Sequence, residues 1–97
     1  LELEAGWEAL VRPRSGNALN RGLGVLNSPG TIDAGYRNEV GVIVFNAGPE
    51  AQSISRGQKI AQLAIRPLPV IRLSAIPQAE LNLATPRNLK GFGSSGS

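Results

Sequence analysis

Residues 39–45 read Glu39-Val40-Gly41-Val42-Ile43-Val44-Phe45. Four of these seven are β-branched, the side chains that pack best on a pleated surface. The stretch is predicted to be a central strand. It runs into Asn46-Ala47-Gly48-Pro49-Glu50, a turn composition. Upstream, Trp7, Ala9 and Val11 alternate with charged or larger neighbours, as in a half-buried strand. Leu23–Leu26, Lys59–Ile65 and Val70–Leu73 read as further strands. Pro13, Pro67, Pro69 and Pro77 interrupt helical readings and favour edges or corners. One short helix is expected, capped by Ser15, running to about residue 20 and ended by Gly22. Many short strands at close spacing predict an all-β barrel or sandwich.

Length and composition limit what such a fold can do. The chain has 97 residues, 41% of them apolar, which allows one domain with a thin stability margin. Oligomerisation is a common remedy for so small a core. There is no cysteine, so disulfides, thiolate catalysis and cysteine-held metals are excluded. There is no histidine, which removes the commonest general base. Asp33 is the only aspartate, beside six glutamates. The net charge of +3 rests on eight arginines and two lysines, a balance suited to bidentate anion binding. With no long basic run and four scattered aromatics, a nucleic-acid partner is not expected. No stretch matches a membrane span or a signal peptide, and a cytoplasmic location is expected. The chain opens on Leu1 within an alternating pattern, which suggests that an upstream part is missing.

Three segments carry residues suited to chemistry. In Arg12-Pro13-Arg14-Ser15-Gly16, Arg14 stands before the expected helix, whose first N–H groups favour anions. Alone, the segment also reads as a surface arginine and an ordinary cap. In Asn27-Ser28-Pro29-Gly30-Thr31-Ile32-Asp33-Ala34-Gly35-Tyr36-Arg37, turn formers bracket Thr31 to Asp33, as in a hairpin. The glycines allow a ligand close to the backbone, Asn27 offers donor and acceptor, and Tyr36 a flat face. Asp33 reads equally well as a turn aspartate bonding its own backbone. In Gly57-Gln58-Lys59-Ile60-Ala61-Gln62-Leu63, Gln62 interrupts an apolar run, so it needs a structural partner or a ligand. Residues 87–97, RNLKGFGSSGS, differ in kind: a glycine-rich tail with an isolated Phe92.

In this order, PRSG, GTIDAGYRNEV, GQKIAQL and RNLKGFGSSG resemble the second to fifth signature motifs of the trimeric dUTPase family. The resemblance spans roughly residues 5–96. It implies a jelly-roll-like β-clip barrel over residues 1–86, a homotrimer, and a C-terminal arm, 87–97, that closes over the site. It implies hydrolysis of dUTP to dUMP and pyrophosphate with Mg²⁺. Asp33 would orient the attacking water and contact the deoxyribose. Asn27 and the backbone near Thr31, Ile32 and Gly41 would hold uracil. Tyr36 would pack beneath the sugar and exclude a 2′-hydroxyl. Arg14, Ser15 and Gly16 would hold phosphates, with Gln62 toward the terminal one. From the arm, Arg87 would meet phosphate and Phe92 uracil, with Gly93 and Ser94 alongside.

Three departures accompany the resemblance. The family's first motif, an AGxDL segment whose aspartate helps hold Mg²⁺ through water, is absent, so a companion chain or segment is expected to carry it. Asn38 and Lys90 stand where the family has glycines. A dCTP deaminase shares the fold, but its chemistry needs a glutamate where this chain has Ile43. A non-catalytic assembly or binding domain of the same fold is the other alternative.

Overall fold

The computed structural model describes residues 1–93. Its elements are β1 (Trp7–Arg12), α1 (Ser15–Arg21), β2 (Leu23–Val25), β3 (Gly30–Ile32), β4 (Val44–Asn46) and β5 (Gln62–Pro67), followed by a 3-10 turn at Gln78–Glu80. The all-β expectation holds. β1 is the central strand of an antiparallel three-stranded sheet, between β3 and β5, and β2 pairs antiparallel with β4. No helix of the described residues is long and apolar enough to cross a membrane.

The period-2 alternation of β1 decides which face is covered. Ala9 and Val11 point inward and are buried; Ile32 stands opposite Ala9, and Gly30 opposite Val11. Val25 completes this cluster, with Leu3, Val40, Val42 and Ala61 packed against it. On the β5 side, Ile65 opposes Ala9 and Leu63 opposes Val11, so both share the core face, yet each stays about half exposed. Ala9, Val11, Leu23, Val25 and Ile32 are the buried hydrophobics among the described residues. The radius of gyration is 19.3 Å, with extents of 56 × 40 × 16 Å. A compact domain of about 100 residues has a radius near 13 Å.

Glycines set two close approaches. Gly22 ends α1 in the left-handed region (φ 65°), donating to Ala18, while its carbonyl accepts from Ala47 N at 2.8 Å. This αL ending matches the expected stop. Gly24 lies under the ring of Phe45, its cross-strand partner.

Four local expectations are corrected. Of residues 39–45 only Val44 and Phe45 are in a strand, and β4 is not central. Val40 and Val42 do reach the core, but the main chain there has few ladder partners beyond Leu26 N to Ile43 O at 2.8 Å. Val70–Leu73 is no strand; without a neighbour to pair with, Val70 and Leu73 lie almost fully exposed. Thr31 and Ile32 pair with β1 rather than with the segment that follows, so the hairpin expected there does not form. Arg14, in extended conformation, occupies the cap position of α1, and Ser15 is the first helical residue; no side chain caps the helix.

Candidate active site

β3 delivers the residues of the central motif to one wall. Asp33 follows its last residue, and the chain turns there through Tyr36 N to Asp33 O at 3.1 Å. The turn is thus closed by the backbone carbonyl of Asp33. Its carboxylate has no hydrogen-bond or ion-pair partner among the described residues, whereas Arg37 pairs with Glu2 at 3.9 Å on the surface. A turn aspartate spent on its own backbone would look different. The Tyr36 hydroxyl donates to Glu39 O at 2.6 Å, which fixes the ring by its far edge.

These residues border a cavity of about 350 Å³, lined by Asn27, Gly30, Thr31, Ile32, Asp33, Tyr36 and Gly41, with Val11, Val40, Val42 and Ile43 as its apolar wall. Small-molecule sites begin at about this size, apolar with a few placed polar groups. Gly30 is small for a reason: a Cβ there would stand 3.2 Å from Asn27 Nδ2 and 3.4 Å from Val11 Cβ. The Asn27 amide therefore lies over the glycine. Ile43, where a deaminase would need its carboxylate, adds hydrocarbon to this wall.

A second cavity, also about 350 Å³, is lined by Arg14, Ser15, Gly16, Asn17, Asn20, Arg21 and Gln62. Arg21 is engaged: its Nε donates to Gln52 Oε1 at 2.8 Å and a terminal nitrogen to Ser53 O at 2.8 Å. Arg14, half-buried, has no such partner among the described residues, so its guanidinium is the cation available to an anion. Gln62 has a structural partner: Nε2 donates to Pro13 O at 2.9 Å.

The expected site residues therefore fall into two groups that share no lining residue. Arg87, Phe92 and Gly93 line neither cavity. Arg87 donates to Lys90 O at 3.0 Å, and Phe92 is fully exposed. Ser94 lies outside the described residues. Sequence reasoning missed Asn17, Asn20 and Arg21, which carry no signal beyond their nearness to Arg14. It also missed Val11, Val40, Val42 and Ile43 as cavity wall, although their apolar pattern was visible. Among the described residues no three acidic groups converge to hold a metal, so the side chains here do not by themselves fit a protein cage for Mg²⁺.

The dUTPase family model matches residues 1–96. The chain is 49% identical over 96 residues to the deoxyuridine 5′-triphosphate nucleotidohydrolase of a Thermoanaerobacter species, covering 99% of this chain and 63% of that protein. It is 48% identical over 95 residues to the protein of that name from Rhizobium johnstonii, covering 98% and 59%. For the one from Clostridium tetani the figures are 45% over 96 residues, 99% and 64%. Among the described residues, an unpartnered acid thus stands beside one cavity and an unpartnered arginine in a second. The chain belongs to the dUTPase family. It spans 59–66% of the length of the curated relatives it matches.

Proposed function

We propose that this chain hydrolyses dUTP to dUMP and pyrophosphate, with Asp33 directing water onto the α-phosphate. The observation that carries the reading is the unpartnered Asp33 carboxylate at the edge of the cavity shared by Asn27, Thr31, Ile32, Tyr36 and Gly41. Phosphoryl transfer depends on positioning and charge neutralisation more than on covalent chemistry. One carboxylate suffices to align a water and accept its proton as the P–O bond to the β-phosphate breaks. Asn27 and the main chain at Thr31, Ile32 and Gly41 would read the uracil edge, and the fixed Tyr36 ring would leave no room for a 2′-hydroxyl. Arg14, with Ser15 and Gly16, would neutralise the phosphates, and the second amide hydrogen of Gln62 remains free for the terminal one.

The base-sized and cation-bearing cavities are separate within one chain, which supports assembly in which a neighbouring copy completes each site. A homotrimer fits that need. Residues 87–97 would act as an arm, bringing Arg87 and Phe92 to the nucleotide when it binds, with Gly93 and Ser94 beside them. Magnesium would enter with the triphosphate. A companion segment or chain bearing a further carboxylate belongs to the same proposal.

Pyrophosphate release from dUTP, dTTP and UTP tests this, on the chain alone and joined to an upstream segment bearing the AGxDL pattern. Release from dUTP well above that from the other two is expected. Equal rates, or none in either form, would favour the non-catalytic assembly domain.

A further inference from the structure

The turn that carries Arg14 is tied at both ends to one other segment. The β1–β5 ladder ends at the pair Arg12 and Gln62. The next residue, Pro13, has no N–H with which to extend a ladder. Its carbonyl is instead taken by the Gln62 side chain, Nε2 to O at 2.9 Å. One helical turn further on, half-buried Asn17 sends its own amide the other way, Nδ2 to Lys59 O at 3.0 Å. Two amide-to-carbonyl bonds of opposite direction thus join residues 13–17 to residues 59–62. Arg14, Ser15 and Gly16 are the three residues held between the anchors, and all three line the same cavity as Asn17 and Gln62.

We propose that Asn17 is a positioning residue, which with the Gln62–Pro13 bond fixes the Arg14–Ser15–Gly16 turn in the geometry that binds phosphate. The proposal rests on the reading of that cavity as the phosphate half of the site. Asn17 itself contacts no reacting atom; it acts by holding Arg14. A single exposed amide–carbonyl bond contributes modestly, so its loss weakens an ordered site rather than abolishing it. Because both bonds restrain one short span, their losses are expected to be non-additive.

The test is calorimetric binding of pyrophosphate and, separately, of deoxyuridine, to the wild-type chain and to Asn17→Leu, Asn17→Asp, Gln62→Leu and the Asn17→Leu/Gln62→Leu double variant. Asn17→Leu and Asn17→Asp are each expected to weaken pyrophosphate about two- to tenfold. Deoxyuridine binding should stay unchanged, since its cavity shares no lining residue with this one. The double variant should lose less than the product of the single losses. Unchanged pyrophosphate binding in both Asn17 variants overturns the positioning role alone. Equal weakening of both ligands, or variants that unfold, would mark Asn17 as merely structural and overturn it too. If the wild-type chain binds deoxyuridine but not pyrophosphate, the phosphate reading of the cavity falls, and the positioning role with it.

Discussion

Gly22 stands against the main chain of Gly48: a Cβ built on Gly22 would lie 2.6 Å from Gly48 N and 2.9 Å from its Cα. Neither backbone can give way easily, and φ at Gly22 is 65°. Gly24 meets a different neighbour, the ring of Phe45, 2.8 Å from a built Cβ at Cε1. That ring is partly exposed, and the atoms met are the far end of a side chain rather than backbone. Gly22→Ala should therefore destabilise by about 2–4 kcal/mol, combining αL strain with overpacking. Gly24→Ala should lose about 1 kcal/mol. Chemical denaturation of the two variants checks the order; the reverse order would show that the α1–β2 junction is more pliant than its contacts imply.

Asp33→Asn keeps the shape of the acid and removes its ability to take a proton. Turnover of dUTP should fall by a factor of roughly 10² to 10⁴, the usual contribution of a positioned base. Binding of a non-hydrolysable dUTP analogue should stay within a few-fold of wild type. Steady-state rates and calorimetry on the same preparation separate the two effects. Normal turnover in this variant would remove Asp33 from the chemistry.

Tyr36→Phe deletes only the hydroxyl that donates to Glu39 O. The ring remains but loses its tether, a bond worth about 0.5–1.5 kcal/mol. Discrimination between dUTP and UTP, read as the ratio of kcat/KM values, should narrow by about two- to tenfold. Tyr36→Ala should narrow it further. An unchanged ratio in both would mean that another wall excludes the 2′-hydroxyl.

Removing residues 87–97 should leave the thermal midpoint almost unchanged. The side-chain bonds of Arg87 go to Lys90 O and Gly91 O, within the tail, and Phe92 is fully exposed. Turnover should drop more than stability, because the residues lost are those assigned to cover the nucleotide. A large fall in the melting temperature would instead make the tail a structural element.

Much of the framework was legible in the sequence because the signal was local. The Trp7-Ala9-Val11 alternation became β1, Gly22 ended the helix, and the Lys59–Ile65 reading overlapped β5, shifted toward the C-terminus. Residues 39–45 and 70–73 show where such reading fails. Their β-branched content describes what a strand would accept, but a strand exists only where a neighbouring backbone offers its hydrogen bonds. In this chain such partners are largely wanting for residues 39–43, and no strand forms at 70–73. The two cavities were foreshadowed by motif residues, whereas Asn17 was not. An amide on a seven-residue helix carries no pattern, and its partner, the Lys59 carbonyl, is a main-chain atom that no side-chain motif can announce.

A slab 16 Å thick with five buried hydrophobic side chains among its described residues has little interior of its own. Two packed layers around one core are the usual minimum for a stable domain. If copies of the chain assemble as proposed and cover exposed apolar side chains such as Leu63, Ile65 and Val70, folding is coupled to mass action. The melting temperature should climb as the protein is concentrated, and dilution should extinguish fold and catalysis together. The abundance of the chain would thereby set the fraction of it that works.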